Sequence, residues 1–275
     1  MDIEQYFSDL LTRPEPDLQR SEQTWDLRAD EVSQFGVSDN DAALQGVLRR
    51  HDLAGEKVLD ISFGAGRYLV EFARRGAQVS GVELSGRMLE HAGHKLRAAG
   101  LQAQTGRLLH SPWEDVVLQD EGWHDAFDLV FVHMSPVLSS LPGLYKALAA
   151  CRKGLYVSSH VWREDSLLTD LQDTLGLPRR RIGSRTADDL YGLFNLLYQW
   201  GYFPALEFNE YCKTSHHSPD YILQRYASWL WPEEATIADR QRLLQLLQER
   251  TVGGEVETRS RDIIGHLYLD KRLRR

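Results

Sequence analysis

An acid and three small residues stand together at the end of an apolar run: Asp60, Ser62, Gly64 and Gly66. The run predicts a buried strand, and the pattern after the turn predicts a helix over about 67–75. Because glycines lack a Cβ atom, a ligand can approach the backbone closely, and the first amides of the helix can donate to it. The stretch therefore predicts a site for a nucleotide-like ligand.

A second apolar run, at 77–84, contains the next chemical group of interest. Its acid, Glu83, comes 19 residues after Gly64, where a strand should end. In a parallel sheet, a carboxylate at such a strand end can accept both hydroxyls of a ribose. We therefore predict Glu83 as the ribose ligand, with Leu84 beside the same ligand.

The spacing of the small residues separates two ligand families. The nicotinamide fingerprint G-x-G-x-x-G would require a small residue at Leu69 or at Arg67, depending on the register, and neither position has one. The stretch instead resembles motif I of class I S-adenosylmethionine-dependent methyltransferases, an acid followed by G-x-G-x-G, with serine in place of the first glycine. An ordinary strand-to-helix turn is the alternative, which the combination with Glu83 disfavours.

The resemblance extends over about 38–162 and implies a cofactor and its ligands. The cofactor is S-adenosyl-L-methionine, with S-adenosyl-L-homocysteine as the product. The residues implied in its binding at motif I are Asp60, Ser62, Gly64, Gly66 and Tyr68.

Two further loops match positions that contact the cofactor in this family. After the third predicted strand, Trp113 would form an aromatic wall for the adenine, and Glu114 or Asp115 would accept from its amino group. After the fourth, the stretch from His133 and Met134 to Pro136 should face the reacting methyl group, because ligands bind beyond the carboxyl ends of the strands. This loop is not the N/D-P-P-Y form of nucleic-acid amino methylases. A surface turn is the alternative for the Trp113 loop.

The regular alternation of strands and helices up to about residue 162 predicts an α/β fold with a parallel sheet. The resemblance implies a Rossmann-like, doubly wound, seven-stranded sheet with an antiparallel last strand. We predict an N-terminal helical lid segment at 1–37 and a methyltransferase domain at 38–275. Within the domain, 164–250 should form a helical cap, with a break at 203–212, followed by a final strand at 262–269.

Several charged and aromatic residues have both a functional and a simpler interpretation. Trp25 and Arg28 lie where some methyltransferases have a lid, but also fit a surface helix. Arginines cluster at 179–181 and at Arg185; Arg180 and Arg181 could bind a substrate carboxylate or phosphate, and a solvated loop is the alternative. The remaining ambiguous residues are His91 and His94, either a ligand pair or solvated, and His160, either a strand-end residue or a substrate contact.

Composition excludes several classes of function. The chain has 275 residues, of which 42% are hydrophobic, and a net charge of -8. The negative net charge disfavours nucleic acid as a partner. No apolar run is long enough to span a membrane, and the acidic start is unlike a signal peptide. The two cysteines have no metal spacing and fit a reducing compartment, so we expect a cytoplasmic protein without a metal.

The predicted reaction is transfer of a methyl group to a small, anionic molecule by in-line displacement. If the acceptor begins protonated, His133 is the best-placed base, because histidine titrates near neutrality. Two alternatives remain: a non-catalytic S-adenosylmethionine- or nucleotide-binding protein, and an aminopropyltransferase-type enzyme on the same fold. The sequence predicts neither the acceptor atom nor the oligomeric state.

Overall fold

The computed structural model describes residues 2–12, 17–179, 184–231 and 235–275, with 184–187 described by their backbone only. These residues form eleven α-helices and seven strands. The helices are α1 Ile3–Leu10, α2 Leu18–Ser33, α3 Ala42–Leu48, α4 Arg67–Arg74, α5 Gly86–Ala98, α6 Leu118–Glu121, α7 Leu141–Ala150, α8 Ser166–Leu175, α9 Ser184–Gln199, α10 Pro219–Leu230 and α11 Ile237–Glu249.

The strands form one sheet in the order β3-β2-β1-β4-β5-β7-β6. They are β1 Lys57–Ile61, β2 Gln78–Glu83, β3 Thr105–His110, β4 Phe127–His133, β5 Cys151–Asp165, β6 Ala205–His217 and β7 Val256–Asp270. The first five are parallel to one another, and the last is antiparallel. The predicted Rossmann-like α/β fold is confirmed.

The centre of the sheet is apolar because helices cover it. Every residue of β4 from Phe127 to Val132 is buried, as are the last four residues of β1. Such continuous apolar runs are typical of parallel strands that are covered on both faces. Register then fixes the strand ends: Ile61 pairs with Val82 on one side and with Val132 on the other.

The chain divides into two compact units. Unit 1 comprises Met1–Ser159, Asp188–Glu207 and Gly265–Arg275, and its core includes the aromatic rings of Phe72, Phe131 and Tyr156. Unit 2 comprises His160–Ala187 and Phe208–Ile264, with its own apolar core from α8, α10 and α11. The predicted lid, domain and cap boundaries divide the chain differently and stay predictions.

The least accurate sequence predictions concern the last two strands. The predicted break at 203–212 contains the first part of β6, and β7 begins at Val256, six residues before the predicted final strand. The burial pattern of β6 is mostly exposed, without an alternating apolar face. Since alternation is the main sequence signal for a strand, the full extent of β6 could not be seen. In the described part of the chain, no helix is long and apolar enough to span a membrane.

Candidate functional site

The loop between β1 and α4 has the left-handed backbone that its small residues permit. Ser62, Gly64 and Gly66 have φ values of 61°, 57° and 77°. A Cβ atom at Gly66 would lie 2.6 Å from the Cβ of Ala92 on α5, so this glycine is required for packing. A Cβ atom at Gly64 would meet nothing within 4 Å. The backbone at Gly64 is therefore the part of the loop that is open to a ligand.

Glu83, the last residue of β2, is held beside this loop by backbone amides. One carboxylate oxygen accepts from the N–H of Gly64 at 2.7 Å, and the other accepts from the N–H of Ser85 at 2.9 Å. Burial raises the pKa of Glu83, against the effect of these hydrogen bonds. Since each carboxylate oxygen has two acceptor positions, both oxygens can still accept from a ligand hydroxyl.

Asp60 is a second buried carboxyl group near the loop and is 2% exposed. Burial raises its pKa well above the usual value, the charge of Glu83 raises it further, and the charge of Arg67 opposes both effects. The neighbouring ends of β1 and β2 therefore each carry a carboxyl group that is shielded from water. Carboxyl groups with shifted pKa values that lie close together are typical of functional sites.

His133, at the end of β4, connects two residues by its ring nitrogens. Arg67 Nη2 lies 2.8 Å from His133 Nε2, and Ser158 Oγ lies 2.6 Å from His133 Nδ1. A guanidinium can only donate, so Nε2 accepts from Arg67 and the proton of a neutral ring is on Nδ1, donating to Ser158. The nitrogen that a general base would use therefore already accepts a hydrogen bond.

The β4 loop is also tied to the β1 loop. Ser135 Oγ donates to Ser62 Oγ at 2.9 Å, and Met134, next in the chain to His133, has a φ of 56°. A non-glycine residue in this left-handed region is strained, and such strain is concentrated at ligand sites. The structure thus brings together the predicted residues of the β1 and β4 ends.

Two aromatic residues predicted to contact the cofactor are packed in the core. Tyr68 is 3% exposed and donates its hydroxyl to Asp41 at 2.9 Å. Trp113 is 2% exposed and donates its indole N–H to the carbonyl of Gly143 at 3.2 Å, with the ammonium of Lys146 near the ring. Large aromatic side chains are often buried in the core, and the O–H of tyrosine or N–H of tryptophan then usually has a hydrogen-bond partner. Contact of either ring with a cofactor stays a prediction.

The other predicted site residues have varied surroundings. Glu114 and Asp115 are exposed, whereas Leu84 is half-buried. The guanidinium of Arg28 lies 5.0 Å from the centre of the Trp25 ring, on the surface of α2. Arg180 and Arg181 lie outside the described residues, and the side chain of Arg185 is not described. Arg179 is exposed and pairs with Asp173 at 2.6 Å.

The histidines singled out in the sequence have ordinary partners or positions. His91 contacts Asp30, and His94, three residues later, is exposed. His160 lies 3.5 Å from Asp262 in unit 2, and burial lowers its pKa. Among the residues that the structure describes, no group of three metal-binding side chains is found.

A row of three carboxylates on α2 is a feature that sequence reasoning missed. Glu22, Asp26 and Asp30 are spaced by four residues and so lie on one face of the helix. The contacts of this carboxylate row are Ser85 Oγ to Asp26 at 2.5 Å, Arg87 Nη2 to Asp30 at 2.7 Å, His91 Nε2 with Asp30 at 2.9 Å and His110 Nε2 with Glu22 at 2.9 Å. The row attaches α2 to the start of α5 and to the end of β3.

The sequence of the central region matches a known family. Residues 58–156 match the family model for a methyltransferase domain. This segment is a methyltransferase domain. The match confirms the resemblance to class I S-adenosylmethionine-dependent methyltransferases and the enzyme class that it implied. S-adenosylmethionine is the cofactor of that class.

No curated protein matches the chain, but solved structures resemble it in fold. A Bacillus halodurans C-125 protein, provisionally assigned as a methyltransferase, has 15% identity and a TM-score of 0.50 over 84% of this chain and 98% of that one. A Thiobacillus denitrificans S-adenosylmethionine-dependent methyltransferase, solved with S-adenosyl-L-homocysteine, has 15% identity and a TM-score of 0.48, covering 86% and 96%. Geranyl diphosphate C-methyltransferase from Streptomyces coelicolor A3(2) has 11% identity and a TM-score of 0.49, covering 94% and 100%. At these identities the likeness concerns the fold alone.

Proposed function

We propose that this protein transfers a methyl group from S-adenosylmethionine to a small molecule. The observation that carries the proposal is the pairing of the open backbone at Gly64 with the carboxylate of Glu83 on the next strand. This pairing supports a ligand that has a ribose and that lies against the loop. When bound, the cofactor supplies an electrophilic methyl group on its sulfonium.

In this proposal the protein acts mainly by positioning. Glu83 accepts from the ribose hydroxyls, and the loop backbone from Ser62 to Gly66 holds the part of the cofactor beyond the ribose. Fixing donor and acceptor in line converts a bimolecular reaction into an effectively unimolecular one, which can supply most of the acceleration. Methyl transfer therefore requires few catalytic side chains, and a role for His133 as base stays a prediction.

We further propose that the acceptor is a small anionic molecule. The support is the arginine cluster at 179–181 and Arg185, in a chain whose net charge is -8. Because Arg179 pairs with Asp173, Arg180 and Arg181 are the better candidates for a substrate carboxylate or phosphate. Replacing both with glutamine should raise the KM for the anionic acceptor more than it alters the Kd for the cofactor. An unchanged KM would contradict a role for these arginines in binding the acceptor.

Calorimetry with S-adenosylmethionine and S-adenosyl-L-homocysteine tests the central proposal. Both should bind, and Glu83→Gln should weaken both by about 5- to 150-fold, because the ribose hydroxyls lose a charged acceptor worth about 1 to 3 kcal/mol. Glu90→Gln, which removes an exposed carboxylate from α5, is the matched control and should bind as wild type does. If wild-type protein binds neither compound, the proposed function is wrong.

A further inference from the structure

The register of the sheet determines which side chains flank the cofactor loop. Ile61 pairs with Val82 on β2 and with Val132 on β4. Glu83 and His133 each follow these partners by one residue, so they stand on opposite sides of the loop that starts at Ser62. A ligand with its ribose at Glu83 that extends across this loop therefore has its other end at the β4 side.

At the β4 side, the group best suited to a ligand is the guanidinium of Arg67. Its central carbon lies 4.8 Å from the centre of the Tyr68 ring, against which it packs. Its Nη2 donates a hydrogen bond to His133 Nε2 at 2.8 Å. His133 is itself held by the buried Ser158 through Nδ1 at 2.6 Å. The three residues, which we term the Ser158–His133–Arg67 relay, keep the guanidinium in one orientation.

A fixed guanidinium has a specific chemical use. It has five N–H donors, and the hydrogen bond to His133 engages one of its nitrogens. The remaining donors lie in one plane and can bind both oxygens of a carboxylate at once. An uncharged group offers no comparable pair of acceptors. In S-adenosylmethionine, the end remote from the ribose is an amino acid with a carboxylate.

We propose that Arg67, oriented by Ser158 and His133, binds the carboxylate of the cofactor and selects S-adenosylmethionine over its decarboxylated form. The proposal rests on the proposed function and assigns His133 as a positioning residue. Its Nε2 lone pair accepts from Arg67 and is not directed at a methyl acceptor. The same selection separates a methyltransferase from an aminopropyltransferase-type enzyme, whose donor is the decarboxylated compound.

Calorimetry with two ligands tests the assignment of Arg67. Wild-type protein should bind S-adenosylmethionine about 10- to 100-fold more tightly than decarboxylated S-adenosylmethionine, as expected for a charge-assisted hydrogen-bonded pair. Arg67→Gln should remove this preference, weakening the first ligand and leaving the second within about twofold. Arg74→Gln removes an exposed arginine from the same helix and should keep the full preference.

Two variants of His133 test the relay. His133→Gln places an amide oxygen that can accept from Arg67, so it should keep most of the preference for the carboxylate. His133→Leu cannot accept, and the preference should fall by about 3- to 10-fold because the guanidinium is no longer held. Melting curves by circular dichroism establish that each variant is folded. If Arg67→Gln does not fold, Arg67→Lys replaces it, and its preference should lie below that of wild type because an ammonium is not a planar fork.

The outcomes separate this inference from the proposed function. If wild-type protein binds S-adenosylmethionine but Arg67→Gln weakens both ligands equally, the carboxylate assignment is overturned while the proposed function stands. The same holds if folded Arg67→Gln or Arg67→Lys keeps the full wild-type preference. Equal preference in His133→Gln and His133→Leu would overturn the relay.

Discussion

The hydroxyl of Ser85 donates to the carboxylate of Asp26 at 2.5 Å, and this contact joins α2 to the first turn of α5. The backbone N–H of the same serine donates to Glu83. Ala29, one turn after Asp26, is fully buried against Ala65 of the glycine loop and Met88. Helix α2 is therefore attached beside the residue that we assign to the ribose.

Asp26→Ala should loosen α2. A hydrogen bond of this kind contributes about 1 kcal/mol net, so amide hydrogen exchange over Leu18–Ser33 should accelerate by up to about fivefold. Mass spectrometry of exchange at pH 7 measures it. Glu31→Ala removes a carboxylate that pairs with Arg28 on the same helix and should have a smaller effect. Equal exchange in the two variants would mean that the contact with Ser85 does not hold the helix.

The two loop glycines should respond differently to alanine. Gly64→Ala places a Cβ atom in open space at a positive φ, which costs about 1 to 2 kcal/mol. The variant should fold but bind S-adenosylmethionine at least about tenfold more weakly, because the methyl group occupies the ligand's approach. Gly66→Ala adds a collision with Ala92 to the same strain, and should lower the free energy of unfolding by about 3 kcal/mol or more. Denaturant unfolding and calorimetry distinguish the two effects, and normal cofactor binding by Gly64→Ala would contradict our site.

Asp128, at the start of β4, should contribute stability that depends on pH. Burial raises the pKa of Asp128, but hydrogen bonds from the N–H of Lys57 and from the side chains of Arg152 and Lys153 lower it by more. The net effect is a pKa lowered from 3.8 to about 2. A carboxyl group with a lowered folded-state pKa stabilises the protein above its unfolded pKa, and this stability is lost as pH falls from about 4 to about 2.

Asp128→Asn should therefore lower the free energy of unfolding by about 1 to 2 kcal/mol at pH 7, after allowance for solvent screening of the partly exposed partners. The difference from wild type should shrink at pH 3. Asp120→Asn, at an exposed position of α6, is the control and should match wild type at both pH values. Urea titrations at the two pH values measure the effect, and a pH-independent difference would show that charge is not its cause.

The two cysteines should differ in reactivity. Cys151 is fully buried, and burial raises the pKa of its thiol to about 12, whereas Cys212 is exposed. Because the thiolate is the reactive form, one thiol per chain should react rapidly with a disulfide reagent in native protein, and two in guanidinium chloride. Cys212→Ser should remove the rapid reaction. Rapid reaction of two thiols in native protein would contradict the burial of Cys151.

The parts of the fold that could be predicted from the sequence are those set by local pattern. The apolar run before Asp60 and the acid at Glu83 fix strand ends, and parallel pairing then brings those ends to one edge. The orientation of Trp113 could not be predicted in this way, because an aromatic residue after a strand can pack inward or face a ligand. In the structure the ring is buried, and its indole N–H donates to the carbonyl of Gly143, 30 residues later.

The partners of charged side chains were the other part that the sequence did not reveal. Arg67 and His133 are 66 positions apart, and no periodicity connects them. The spacing of Glu22, Asp26 and Asp30 indicates a common helix face, but such a face is more often solvated than paired. Only the packing of α2 on α5 shows that these carboxylates have partners.

The strand order has a consequence for the biosynthesis of this chain. β6 is at the edge of the sheet, and its neighbour is β7, which is synthesised later. While the ribosome synthesises the intervening residues 218–255, β6 cannot yet pair with β7. An unpaired strand is prone to aggregation during that time. Its sequence, with charged residues at Glu207, Glu210 and Lys213 and mostly exposed positions, suits a strand that must remain unpaired in water until the last segment emerges.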